Sequence, residues 1–444
     1  MQDWLAAHPE VRNIRIAAAD LNGQARGKRI PVANAAKLGT EGARFPFSAL
    51  NLDVWGHDIE DSPLLFDTGD ADGVLRPTGR GPLPMPWIGP QAALVPIWMF
   101  HDDGRPFAGD ARHALDRVLD RYRARGITPV MATELEFYLI DDSGEGFRPP
   151  PSPVSGRHYQ GADTLALRAL DAFDGFFNDL YDACEAMGIA ADTASSEAGP
   201  GQFEINLLHG PDPMKMADDT WLFKLLVKGL ARRHGFAGSF MAKPYDGQPG
   251  NGLHLHFSLL DAEGRNLFDD GGPKGTDMLR HAIAGCMAAM PGSTLIFAPH
   301  ANSYARMVPG AHAPTGVCWA YENRTASIRV PSGSHKARRI EHRVAAGDIN
   351  PYLMMAAVLG SALNGIEDAA DPPAPITGNA YAQDMPHLPS DWAAAVAVFE
   401  TCPHVARIFA PELIDNMLRT KRQEMREAAA LDTNALRDLY LETT

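Results

Sequence analysis

Four short stretches of the chain interleave ionisable side chains with apolar ones at a spacing of two. In VMATELEFYLI, Glu134 and Glu136 alternate with Leu135, Phe137 and Leu139; in QFEINLL, Gln202, Glu204 and Asn206 alternate with Phe203, Ile205 and Leu207. In GLHLHFSLL, His254, His256 and Ser258 alternate with Leu253, Leu255, Phe257 and Leu259; in RRIEHRV, Arg339, Glu341 and Arg343 oppose Ile340 and Val344. Successive side chains of a strand point to opposite faces, so each stretch predicts one core face and one face that gathers carboxylates, imidazoles or guanidinium groups. Any one of them alone is explained by a half-solvated antiparallel strand. Together they are not, because glutamate is depleted in ordinary strands. If the faces converge, Glu134, Glu136, Glu197, Glu204, Glu341 and His254 surround one spot. Two carboxylates about 4 Å apart repel by about 4 kcal/mol at an effective dielectric near 20, so five together require a cation. A shell of oxygens with one imidazole suits Mg²⁺ or Mn²⁺. The nearby arginines require an anion, and phosphate is what guanidinium forks bind best. Divalent ions beside arginines point to phosphoryl chemistry.

The elements that must position these residues show in the texture of the chain. Residues 1–103 are rich in Gly and Pro with short apolar runs such as IRIAAAD and AALVPIWMF, which predicts a small domain of short strands with no helix beyond the first few residues. From about residue 109 helical spacing takes over: Leu115, Val118, Leu119 and Tyr122 lie on one face, with Asp110 as N-cap and Gly126 as the stop. Further helices are predicted over 163–188, 213–234, 276–290, 350–366 and in pieces from 391 onward, with a Pro-rich surface loop over 148–161. The reading is a two-part α+β chain divided as 1–103 and 104–444. With 444 residues, 45% hydrophobic and 21% charged, it has the composition of a globular protein with a substantial core. A net charge of −15 argues against nucleic-acid or anionic-membrane partners. The four cysteines form no CxxC pair, and no run approaches the length of a membrane span, so a cytoplasmic protein with reduced thiols is expected. GQARGK at 23–28 has three residues between its glycines and Arg29 where Ser or Thr would bind magnesium, so it is not a phosphate loop.

At this point the motifs resemble those of the glutamine synthetase family. ELEFYL is similar to its first metal strand, SSEAGPGQFEI to its paired glutamates, PGNGLHLHFSL to its glycine and histidine stretch, NSYARMVPGAHAPT to its mobile flap, and NRTASIRVP with KARRIEHR to its arginine run. They occur in the family's order across nearly the whole chain. The resemblance implies a β-grasp-like amino-terminal domain and a catalytic domain with a curved antiparallel sheet and surrounding helices. It also implies a homo-oligomer, a double-ring dodecamer with sites between subunits. It further implies that Glu136, Glu197 and Glu204 hold one metal and Glu134, His254 and Glu341 another, giving two or more ions per site. His256, Arg324, Arg329, Lys336 and Arg339 would serve ATP, with Arg324 also catalytic, and Gly250, Arg306 and Arg343 would serve glutamate. Arg324 and Arg329 have opposite strand parity, so a bend or bulge must separate them if both reach the site. The implied reaction is ATP-dependent amide formation at the γ-carboxylate of glutamate through γ-glutamyl phosphate.

The chain departs from true glutamine synthetases at the ammonia pocket. His312 stands where their flap carries a glutamate, and FPFSALNLDVWG replaces the usual FDGSS stretch. The pattern is closer to relatives that join glutamate to polyamines or small alkylamines. Asp53 is a candidate carboxylate on the amine side, or a turn residue; Tyr381 receives no role. The competing readings are an authentic glutamine synthetase using ammonia and, in another class, a phosphagen-type kinase or a non-catalytic sensor paralogue.

Overall fold

The computed structural model describes residues 1–144, 146–311 and 313–444, and the chain builds two sheets. The amino-terminal sheet contains β1 (Asn13–Ala19), β2 (Ala25–Pro31), β3 (Ala43–Pro46), β4 (Asp72–Pro77), β5 (Leu83–Pro84) and β6 (Ala92–Phe100), in the order β2-β1-β6-β4-β3 with β5 added on β6. β1 and β6 run parallel and the other pairs antiparallel. Alternation along β1 sends Ile14, Ile16 and Ala18 into a small local core with Val95 and Ile97. Ala17 and Ala19 point the other way and join Leu94 in the large core of the rest of the chain. The two sheets are thereby packed through one continuous apolar layer.

The second sheet is built from β7 (Thr128–Ile140), β8 (Ala191–Ser196), β9 (Gln202–Gly210), β10 (Ala237–Ser239), β11 (Leu253–Leu260), β12 (Trp319–Tyr321), β13 (Ile328–Val330) and β14 (Ile340–His342). Its order is β12-β13-β14-β11-β7-β9-β8, with β10 also on β7. It is antiparallel, as expected, except at one edge, where β12 and β13 pair in parallel. Those edge strands are three residues each and leave no periodicity to read. Helices cover the apolar face of the sheet, where Leu135, Phe137, Phe203, Ile205, Leu253, Leu255 and Phe257 join the main core.

Helix positions follow the expected pattern with three corrections. The helix Ala111–Arg123 opens on Asp110, whose Oδ1 accepts the amide of Arg112 at 2.8 Å, and Gly126 sits at a φ of 65° just beyond its end. The amino-terminal part does contain further helices, Ala35–Thr40 and Pro63–Phe66, too short for a helical period to show. The helix expected over 163–188 is two, Leu167–Ala172 and Asp174–Met187, broken where Phe173 leaves helical geometry with its ring buried among Tyr159, Phe203 and Phe236. The helix expected to stop before Pro291 runs from Asp277 through Phe297 with the proline inside. Gly292 through Phe297 are all buried, and that burial outweighs the cost of the missing amide.

A polar node inside the protein ties the amino-terminal sheet to the helices behind the site. On the helix Pro411–Ala428, Lys421 and Glu424 have fully buried side chains and pair at 2.8 Å. The other oxygen of Glu424 accepts from the Asn22 side chain and the Val54 amide, both at 2.8 Å, and Lys421 donates to Asn22. His300, the N-cap of the helix Ala301–Arg306, lies 3.8 Å from the same carboxylate. Removing one partner of such a pair leaves an unmatched charge in the interior. Lys421→Met is expected to lower stability by about 3 kcal/mol, read as a fall in the urea midpoint at unchanged slope.

Candidate active site

Strand register assembles the ionisable face. Across β7 and β11, Glu134 stands opposite His254; across β7 and β9, Glu136 stands opposite Glu204; across β11 and β14, His256 stands opposite Glu341; and across β13 and β14, Arg329 stands opposite Glu341. Glu134 is the hub. One of its oxygens lies 3.0 Å from Nδ1 of His254 and the other 2.9 Å from Nε2 of His256. His256 Nδ1 accepts from Arg339 Nε at 3.2 Å, so its Nε2 carries the proton given to Glu134. A proton on Nδ1 of His254, shared with Glu134, leaves Nε2 as a lone pair.

On this face two sets of potential ligand atoms lie within 4.8 Å of one another, Glu134 with Glu204 and His254, and Glu134 with His256 and Glu341; a third set, Asp53 with His57 and Glu427, involves the amino-terminal turn. The Glu134, Glu204 and His254 set cuts across the division that the family resemblance implies, while the other keeps Glu134 with Glu341 and has His256 in place of His254. Glu136 and Glu197 enter neither set. Glu136 instead accepts the amide of Gly252 at 2.6 Å.

The carboxylates perturb one another's ionisation. Burial, then the charges of Glu136 and Glu134, push Glu197 up to about 7; burial, then Glu134, Glu136 and Glu197, push Glu204 up to about 9; Arg324 opposes both shifts. Glu134 goes the other way: against burial, its hydrogen bonds with the two histidines hold it well below the usual carboxylate range. Glu341 is likewise drawn down to about 2, against burial, by Arg343, the histidines and Arg329. It is bound by both arginines, at 2.7 Å from Arg329 Nη1 and in direct contact with Arg343. The residues fit divalent cations, since protonation is otherwise the remaining way to relieve Glu197 and Glu204.

The other expected residues fall in several places. Arg324 is exposed in the connection between β12 and β13, and the chain turns over 324–327 before β13 begins, which separates it from Arg329 as their opposite parity requires. Lys336 is exposed on a short 3₁₀ turn, His335–Ala337. With Arg339, His256, Glu134, Asn206 and Ser258 it lines a cavity of about 510 Å³ at the Val130 end of β7. Arg306 is buried, donates to the carbonyl of Val344 at 2.9 Å, and packs on Gly250. A β-carbon at Gly250 would lie 2.3 Å from the carbonyl of Ala242 and 2.8 Å from Arg306 Cγ, so packing alone demands glycine there. Asp53 is fully buried, and its carboxylate accepts the amides of Trp55 and His57 at 3.0 and 2.8 Å and the side chain of Gln423 at 3.1 Å. Within one chain it organises its own turn. His312 lies outside the described residues.

Two participants were not singled out in the sequence. Gly252 opens on the cleft: a β-carbon there would meet Arg306 Nη2 at 2.6 Å and Glu136 Oε2 at 3.3 Å. The signal was the second glycine of PGNG, directly before the strand. Tyr138 shares the parity of Glu134 and Glu136, and its hydroxyl donates to the carbonyl of Pro249 at 2.8 Å, bracing the loop that carries Gly250 and Gly252. Counting in twos along ELEFYL would have found it.

Residues 108–440 match the family described as glutamine synthetase, catalytic domain. The chain is 35% identical over 414 residues to the γ-glutamylputrescine synthetase PuuA of Escherichia coli (strain K12), covering 91% of this chain and 86% of the relative. It is 30% identical over 433 residues to the γ-glutamylethanolamide synthetase GlnA4 of Streptomyces coelicolor, covering 95% and 90%. The glutamine synthetase of Thermotoga maritima is 31% identical over 374 residues, 84% and 81% of the two chains. The solved GmaS/ADP complex superposes with a TM-score of 0.85 at 28% identity, over 99% of both chains. The ordered motifs, the carboxylate-lined sheet and these matches agree: the chain belongs to the glutamine synthetase family of ATP-dependent ligases that form carbon–nitrogen bonds.

Proposed function

We propose that the protein joins the γ-carboxylate of glutamate to an organic amine, a polyamine or small alkylamine, with ATP as co-substrate. The observation that carries this reading is the row of carboxylates and histidines flanked by arginines on one face of the sheet, in a family where two of the similar relatives are named for γ-glutamyl amides of putrescine and ethanolamine. A carboxylate is a poor electrophile because its leaving group would be oxide. A γ-carboxylate oxygen attacks the terminal phosphorus of ATP, ADP departs, and the acyl phosphate that results can be attacked at carbon. A neutral amine adds, the tetrahedral intermediate collapses, and phosphate leaves with the acyl oxygen. An alkylamine with a pKa near that of lysine, about 10.4, is neutral in about one molecule in several thousand at pH 7, so the site must accept a proton.

In this reading Glu134, Glu136, Glu197, Glu204, His254 and Glu341 hold two or more Mg²⁺ or Mn²⁺ ions, which when bound neutralise charge on the transferring phosphoryl group. His256, Arg329, Lys336 and Arg339 orient the triphosphate, Arg324 reaches the transferring group, and Arg306, Arg343 and Gly250 orient glutamate. His312 withholds the negative charge that a flap glutamate would offer ammonium. The protein works as a cytoplasmic homo-oligomer, a double ring in which a neighbour's amino-terminal part, bounded near residue 103, borders each site.

Product analysis after incubation with glutamate, Mg-ATP and an amine panel is expected to give an amide and free phosphate in equal amounts. At least one alkylamine or polyamine should have a higher kcat/KM than ammonia, and His312→Glu should narrow that gap. A phosphorylated product would indicate a kinase, and a preference for ammonia a glutamine synthetase. Glu134→Ala or His254→Ala is expected to lower kcat by about a hundredfold or more with the fold retained by circular dichroism.

A second expectation concerns metal and pH. Glu197 and Glu204 ionise near 4.5 ordinarily but near 7 and 9 in the folded metal-free protein, so the folded state holds protons that unfolding releases. Their contribution to stability is present at low pH and is lost as pH rises through the folded values. A metal ion replaces those protons and removes the loss. The rise in Tm on adding Mn²⁺ should therefore be larger at pH 8.5 than at pH 6, and a pH-independent increment would refute the ligand assignment.

A further inference from the structure

β1 and β2 set two arginines side by side. Their register pairs Arg15 with Arg29, so both guanidinium groups leave the same face of the hairpin, the face of Ala17, Ala25 and Gly27. A cavity of about 360 Å³ lies between that face and the helix Pro213–Arg233. Met85, Leu94 and Leu225 give it apolar walls, and Trp87 an aromatic one. The indole is seated on Gly229 of the helix, where a β-carbon would meet Trp87 Cδ1 at 2.2 Å. None of these residues lines the cavity of Lys336 and Arg339, so the two are separate places in the fold.

Its charge is one-sided. Like charges directly opposite each other on a strand pair are destabilising. Arg15 donates to Oδ1 of Asn13 at 2.6 Å, a neutral partner on its own strand, and burial, then Arg29, hold its guanidinium below the ordinary range. Neither arginine forms an ion pair with a described residue, and no carboxylate lines the cavity. Lys28, of opposite parity, turns its ammonium group to the carbonyl of Arg44 at 2.8 Å and takes no part. From the helix, Arg233 donates to the carbonyl of Pro86, the residue before Trp87, at 2.6 Å, again without a described carboxylate partner. The chain has 55 acidic residues against 40 basic ones, so this concentration of unmatched cations runs against its composition. Paired guanidinium forks bind a carboxylate or phosphate through parallel N–H donors, and an indole face with aliphatic neighbours accepts a flat apolar body.

We infer that this cavity binds a small amphipathic anion, a carboxylate or phosphate monoester on a flat apolar group, with its charged end between Arg15 and Arg29 and its body against Trp87. The site stands apart from the carboxylate row, and the inference does not depend on the ligase reading.

The test is isothermal titration calorimetry of the full chain with phenylacetate, phenyl phosphate and the neutral phenylacetamide, with Mg-ADP present to occupy phosphate positions at the row. At least one of the two anions is expected to bind once per chain, with phenylacetamide weaker by about tenfold or more. The tighter anion identifies the head group. Arg15→Gln and Arg29→Gln should each weaken that anion by about tenfold, the loss of one hydrogen bond to a charged group, and leave the amide unchanged. Arg29 is exposed and Arg15 half-buried, so neither change strains the core. Without anion, Arg29→Gln should leave Tm unchanged or raise it, because a like-charge pair is removed. A lowered Tm would show that the guanidinium has a structural partner and would overturn the inference. So would a wild type that binds neither anion, equal binding of anion and amide, or anion binding that survives both arginine substitutions.

Discussion

Glu134 faces His254 across one strand pair while Glu136 faces Glu204 across another, and this register is the constraint on which the site depends. Because side chains alternate with a period of two, a slip of one residue at either pair would carry the glutamates into the core and bring leucine and phenylalanine out. The apolar face prevents that slip. Leu135, Phe137, Leu253, Leu255 and Ile205 are fully buried opposite the charges, so the burial that stabilises the sheet also fixes the ionisable groups against one another. Held so, the groups cannot relax apart: histidines and arginines offset the repulsion at one side, and at the other burial and the neighbouring carboxylates push Glu197 and Glu204 up.

Rigidity around this row is distributed over the fold. Tyr138 ties the strand to the loop at Pro249, Gln202 donates to the carbonyl of Gly250 and to Asn251, and Asn251 bonds to the carbonyls of Ser239 and Met241. The glycine loop before β11 is therefore fastened by side chains from two strands and by its own Asn251 to the backbone at the end of β10. Behind it, the Lys421–Glu424–Asn22 node joins the amino-terminal sheet, the turn at Asp53 and the start of the helix that ends in Arg306. A charged pair buried this deeply is a weak source of net stability, and its clearer effect is to specify which surfaces meet.

Much of this was legible beforehand. Period-two alternation marked β7, β9 and β11, and in RRIEHRV it ran on beyond the three residues of β14; Asp110 and Gly126 marked the ends of their helix, because burial and capping act on neighbours within a few residues. Short elements were not legible: a four-residue helix or a three-residue strand has too few positions to show a period, so Pro63–Phe66 and the parallel β12–β13 edge escaped notice. The helix through Pro291 was misjudged because local rules register the lost amide and not the buried segment beyond it.

The sequence by itself determined the inventory of the site and the face on which each group stands, since residue type and strand parity are local properties. Which glutamates share a histidine was decided only in three dimensions: Glu134 binds both His254 and His256, and Glu136 turns to the amide of Gly252, because contact across strands depends on register between segments more than a hundred residues apart. Asp53 divides the same way: its role in a turn was one of two readings open in the sequence and its bonds to the amides of Trp55 and His57 are local, whereas its bond from Gln423 was decided only in the fold. Hydrogen bonds over that separation leave no trace in spacing, because the chain between the partners can take many paths that bring them together or keep them apart.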